Sequence, residues 1–103
     1  MLHIHTILRL MYSIRDMDTS ITLLRLAEEL RRRRLARGLT QAHLAKAAGV
    51  SRSLVVRAEK ADETVAIGTF ANLLWLTGGE LTVGAARRPT LDEARVLFAA
   101  DED

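Results

Sequence analysis

The stretch Leu39–Lys60, LTQAHLAKAAGVSRSLVVRAEK, constrains the fold of this chain more than any other. It holds two short apolar patterns at helical spacing around a single glycine. Thr40 is placed to cap a helix from Gln41 to about Ala48, and Ser51 to cap another reaching about Lys60. A short side-chain oxygen at such a position accepts a hydrogen bond from the unpaired N–H groups of the first turn. Gly49 takes without strain the positive φ that ends one helix and turns the chain sharply towards the next. Two helices so short and so tightly joined cross at a large angle, and their inner faces must pack in the crook. Leu44, Ala45, Ala48, Val50, Val55 and Ala58 fall where that packing is needed, the alanines allowing close approach. The outer face of the second helix then starts with Ser51, Arg52 and Ser53, with Arg57 one turn later.

The rest of the 103 residues supports a helical reading. Hydrophobic residues make up 49% of the chain but aromatics only 4%, and a lone proline leaves few breaks among the abundant Ala, Leu and Arg. From Ser20, Leu23, Leu26, Ala27 and Leu30 recur at three- and four-residue steps and predict an amphipathic helix ending at Gly38. ADETVAI is a polar connection with room for a short turn. GTFANLLWL predicts a further helix closed by Gly78-Gly79, with Ile67, Phe70, Ala71 and Leu74 as its core face. Leu73, Trp75 and Leu76 are then expected to point elsewhere, as surplus apolar surface for a dimer interface, with a partly buried core edge as the alternative for Trp75. Glu80–Val83 is short and β-prone. PTLDEARVLFAAD follows as either a short amphipathic helix or a disordered segment, with Leu91, Ala94, Val96, Leu97 and Phe98 as its apolar residues. Residues 1–18 carry helical spacing at Ile4, Ile7, Leu8, Met11 and Ile14 but strand-like alternation over Leu2–His5, and Met11 and Met17 are alternative starts. The helical reading is preferred there. The chain thus divides into an extension (1–18), a helical domain (19–79) and a strand-plus-tail segment (80–103).

Charge is unevenly spread. Residues 1–60 carry 12 Lys and Arg against 5 Asp and Glu, whereas residues 61–103 carry 3 against 8. A basic first half points to a polyanion, and the acidic tail to a different task. The run Arg31–Arg34 is not one gripping patch, because consecutive helical residues scatter around the axis. The absence of cysteine excludes disulfides and thiolate metal sites and fits a reducing cytoplasm, and no apolar run approaches the ~20 residues of a membrane helix. His3, His5 and His43 are the only histidines, and a His-x-His pair near a terminus is a weak metal signal. No nucleophile–base pair, paired carboxylates or phosphate loop is visible, so neither an enzyme nor a cofactor is expected.

The spacing of Leu39-Thr40-Gln41, Leu44-Ala45, Ala48-Gly49-Val50-Ser51, Val55 and Glu59 resembles the Xre-type, phage-repressor-like helix-turn-helix family over roughly Leu26 to Val83. The resemblance implies an all-α bundle of about five helices that binds double-stranded DNA as a two-fold dimer on a palindromic operator. It implies that Gln41 braces a phosphate and the recognition helix, that Ser51 is a cap and phosphate contact, and that Arg52, Ser53 and Arg57 read bases. Arg34 and Glu59 match the family's structural ion pair, which leaves Arg31, Arg32, Arg33 and Arg37 solvated or in loose phosphate range. Leu81-Thr82-Val83 is similar to the strand that HipB-type antitoxins append to this domain, paired with its mate across the dimer. Leu73, Trp75, Leu76, Leu81 and Val83 are therefore the expected dimer contacts. That likeness implies a repressor that is also an antitoxin, with a toxin partner encoded nearby; a stand-alone regulator is the alternative. The tail then meets either another protein or its own bundle. A third reading keeps the fold as a protein-interaction adaptor without DNA binding. Two features depart from the family: Lys60-Ala61-Asp62 stand where a polar residue and glycine are common, and Leu54 and Val56 occupy positions usually polar.

Overall fold

The computed structural model describes residues 21–101, so the helix preferred for 1–18 lies outside the described residues. It contains five helices: α1 (21–36), α2 (Gln41–Ala48), α3 (Arg52–Glu59), α4 (Ile67–Leu76) and α5 (Leu91–Asp101). Leu23–Ala86 forms one compact unit, and the residues from Arg87 onward belong to a second.

Each turn in the first unit follows from local chemistry. Thr40 accepts a hydrogen bond from the His43 N–H, and Ser51 accepts one from the Leu54 N–H. These caps start α2 and α3 where the sequence places them. At the other ends, α1, α2, α3 and α4 all finish with the same pair of backward hydrogen bonds. The N–H groups of Gly38 and Leu39 reach Leu35 and Arg34, and those of Gly49 and Val50 reach Lys46 and Ala45. Ala61 and Asp62 reach Ala58 and Arg57, and Gly78 and Gly79 reach Trp75 and Leu74. This closure needs one residue of positive φ. Glycine supplies it three times, but after α3 it is Ala61 that takes φ 59°. The family's missing glycine therefore leaves the turn intact and an alanine in a conformation that costs about 1–2 kcal/mol.

The core is formed by Leu30, Leu44, Ala45, Val55, Ala58, Val65, Phe70, Leu73 and Leu74, with Leu26, Ala48, Val50, Leu76 and Leu81 packed against it. Helix α2 packs on both α3 and α4. Phe70, Leu30, Leu44, Leu73 and Val55 are wholly buried, each worth about 1.5–3 kcal/mol of apolar burial. Two expectations for α4 are corrected. Leu73, expected at a dimer interface, is fully enclosed and has no surface to offer, whereas Ile67, expected in the core, is 66% exposed. The inward stripe is Phe70, Leu73, Leu74 and Thr77, whose hydroxyl donates to the carbonyls of Leu73 and Leu74.

Residues 79–90 have no regular secondary structure, so the strand expected at Glu80–Val83 is not formed in the single chain. A strand needs a ladder partner, and none of the described residues provides one. Instead Leu81 folds back onto the core while Val83 is fully exposed. Helix α5 opens with a reciprocal cap: Thr90 N–H donates to Glu93 and Glu93 N–H to the Thr90 hydroxyl, at 2.9 and 3.2 Å. Of the two readings of this segment, helix prevails.

Candidate nucleic-acid interface

The hinge of the interface is an ion pair between α1 and the last residue of α3. Arg34 donates through Nε and Nη2 to the two carboxylate oxygens of Glu59, at 2.7 and 2.9 Å, and through Nη1 to the Leu39 carbonyl at 2.8 Å. The side chains are only 8% and 4% exposed. Burial of a pair demands this complete pairing, because an unpaired charge there is strongly unfavourable. The hydrogen bonds to Glu59 raise the Arg34 pKa further, so the guanidinium stays charged. Gln41, at the start of α2, donates to Glu59 at 3.4 Å. One carboxylate thus fixes α3 against α1 and α2 together. The Leu39 carbonyl was not foreseen, although its place one turn beyond Arg34 brings it close.

On this mount α3 presents its N-terminal end to solvent. Ser51, Arg52, Ser53 and Arg57 are exposed, and Gln41 is half-buried beside them. Arg57 also leans on the loop after α3, donating to the Thr64 hydroxyl at 3.4 Å. Thr64 in turn donates to Asp62 from its hydroxyl and its N–H, at 2.6 and 2.8 Å. These bonds, and less strongly the charge of Arg57, hold the Asp62 carboxyl below the usual carboxylate range. His43 is exposed on the outer side of α2, and Leu54 and Val56 are half-buried.

The remaining arginines of α1 divide their work. Arg32 and Arg33 both pair with Glu29, whose pKa they lower, the Arg32 hydrogen bond contributing most. Arg33 also donates to the Gly78 carbonyl at 2.8 Å, and Arg37 to the Leu76 carbonyl at 3.3 Å. Cations at the end of α4 complement its dipole and its unpaired carbonyls. Arg33 and Arg37, expected to be solvated or in loose phosphate range, also tie α1 to the end of α4. A Cβ on Gly79 would lie 2.9 Å from the Arg33 Cδ, so the glycine pair leaves room for the arginines. The expected dimer residues separate as well. Trp75 is 69% exposed, Leu76 and Leu81 are half-buried against their own core, and Val83 is fully open.

Capped helices crossing at a glycine turn, with the second one locked at its end and polar at its beginning, define a helix-turn-helix domain. The sequence model of the helix-turn-helix domain family matches residues 25–82, more than half the chain, and the protein belongs to that family. No curated protein and no solved structure matches it. Among the described residues no helix is long and apolar enough to cross a membrane, and no group of three or more His, Cys, Asp or Glu is placed to hold a metal ion.

Proposed function

We propose that the protein is a sequence-specific DNA-binding transcriptional repressor that acts as a homodimer on a palindromic operator. The observation that carries this reading is α3 itself: its end is fixed by the buried Arg34–Glu59 pair while Ser51, Arg52, Ser53 and Arg57 stay exposed. A helix so mounted enters a major groove by its N-terminal end, where its dipole favours phosphate. Arginine at such a position grips guanine O6 and N7 in bidentate fashion, for about 1–3 kcal/mol of discrimination. Ser51 and Gln41 contact the phosphates on either side. Trp75 and Val83, with the outer edges of Leu76 and Leu81, form the dimer contact. That pairing also gives Glu80–Val83 the strand partner it lacks in one chain.

Within this reading the protein is an antitoxin that binds a toxin and represses its own operon. Support comes from the HipB-like pattern and from α5, an acidic helix with Leu91 68% and Val96 52% exposed. The stand-alone regulator remains the second reading, favoured by the irregular 79–90 segment. Purification from the native host, with mass spectrometry and sequencing of bound DNA, separates them. A stoichiometric partner encoded beside this gene, with its own promoter DNA, supports the antitoxin; promoter DNA alone supports the plain regulator. Co-purified protein with no DNA and no salt-sensitive DNA affinity supports the adaptor reading instead.

A further inference from the structure

Four of the five arginines between residues 31 and 37 are engaged within the chain: Arg32 and Arg33 by Glu29, Arg34 by Glu59, and Arg33 and Arg37 by the end of α4. Arg31 is the exception. It is exposed and has no side-chain partner among the described residues. It lies one turn before Arg34, on the wall of an open groove of about 750 Å³ between the end of α1, the start of α2 and α3. Arg52 and Lys60 line the same groove, are also exposed and have no side-chain partner among the described residues, while Leu35, Leu39 and Val56 supply apolar lining. Three unpaired cations around one concavity repel each other, and a polyanion lying along it removes that repulsion.

We propose that this groove is a second track of the DNA interface, in which Arg31 neutralises a backbone phosphate beyond the bases that α3 reads. The inference rests on the DNA-binding reading and extends it from α3 to α1. Arg52 belongs to both α3's exposed end and the groove, so a strand passing α3 continues along the same wall. The apolar lining suits the sugar face of a strand whose phosphates turn to the rim. A guanidinium there adds affinity without sequence preference, because a phosphate carries no base identity.

The test uses the full chain and a labelled duplex of mixed sequence, titrated by fluorescence anisotropy over a range of salt concentrations. Each phosphate contact contributes about 0.9 to the slope of log affinity against log salt, or roughly an eight-fold gain near 0.1 M salt relative to 1 M. Arg31→Ala is expected to lower the slope by about one contact and weaken binding by nearly that factor, with base preference unchanged. Arg31→Lys should retain the slope, since a point charge suffices. Arg32→Ala, equally exposed but committed to Glu29, should leave it nearly intact. Circular dichroism melts confirm that all variants fold. Wild-type slope and affinity in Arg31→Ala, beside a clear loss in Arg52→Ala, would overturn the groove while sparing DNA binding. Weakened capture of an acidic amphipathic peptide with unchanged DNA binding would overturn it in favour of a protein ligand. No salt-dependent binding by the wild-type protein would remove the DNA-binding reading itself.

Discussion

Removing the Arg34 side chain tests whether α3 is held by the buried ion pair or merely by its apolar face. Arg34→Ala deletes three hydrogen bonds, of 2.7, 2.8 and 2.9 Å. It leaves Glu59 enclosed, with Gln41 at 3.4 Å as its remaining side-chain donor. Breaking a buried pair from one side costs about 3–5 kcal/mol, a large share of the ~5–15 kcal/mol that holds a small domain folded. At about 4–8 °C per kcal/mol for a unit of this size, the melting temperature should fall by about 12 °C or more. Far-UV circular dichroism is the suitable probe, because it reports the loss of the helices directly. Arg32→Ala is the control: it loses only an exposed, solvent-screened pair, so its melting temperature should stay close to that of the wild type. Replacing both partners by apolar residues of similar volume, Arg34→Met with Glu59→Leu, removes the charge penalty along with the attraction. That double variant should recover most of the loss, apart from the unpaired Leu39 carbonyl. Arg34→Ala and Arg32→Ala melting within about 4 °C of each other would refute the anchoring role.

Other substitutions separate readout from stability. Arg52→Ala or Arg57→Ala should relax base preference at a defined half-site position by about 1–3 kcal/mol; unchanged preference in both, measured on duplexes varied one base at a time, would rule out base reading. Ala61→Gly should stabilise the protein by about 0.5–1 kcal/mol in urea denaturation, since relief of the positive φ exceeds the greater unfolded-state freedom of glycine. Glu29 and Asp62 both have folded-state pKa values below the ordinary carboxylate range. Their stabilising contribution is present above the unfolded-state pKa and is lost as pH falls through the folded value. Glu29→Gln should therefore flatten the acid limb of the stability curve, and an unaltered limb would contradict the pairing with Arg32 and Arg33.

The caps of α2 and α3 and the stop of α2 were legible because they are local: Thr40, Ser51 and Gly49 act on neighbours a few residues away, whereas the turn after α3, closed by Ala61, carried no glycine to announce it. The Arg34–Glu59 pairing was legible only through family resemblance, since 25 residues separate the partners. Helix α4 was misread for a physical reason. Its sequence IGTFANLLWL is apolar nearly all round, so periodicity alone does not choose which stripe faces inward. The core chose Leu73 and left Ile67 outside. The roles of Arg33 and Arg37 depend on carbonyls 45 and 39 residues away, at the end of α4, for which the run of arginines carries no local signal. The β-prone residues Leu81–Val83 gave a propensity, but a strand is a property of two segments.

The most direct test of the central claim is in vitro selection from a randomised duplex pool with the full chain, followed by sequencing of the bound fraction. A dimeric repressor reading DNA through α3 should enrich a two-fold-symmetric motif whose half-site centres lie about one helical turn, ~34 Å, apart. Arg52→Ala should blur one position in each half. A folded protein that enriches no sequence over the input pool would contradict the account.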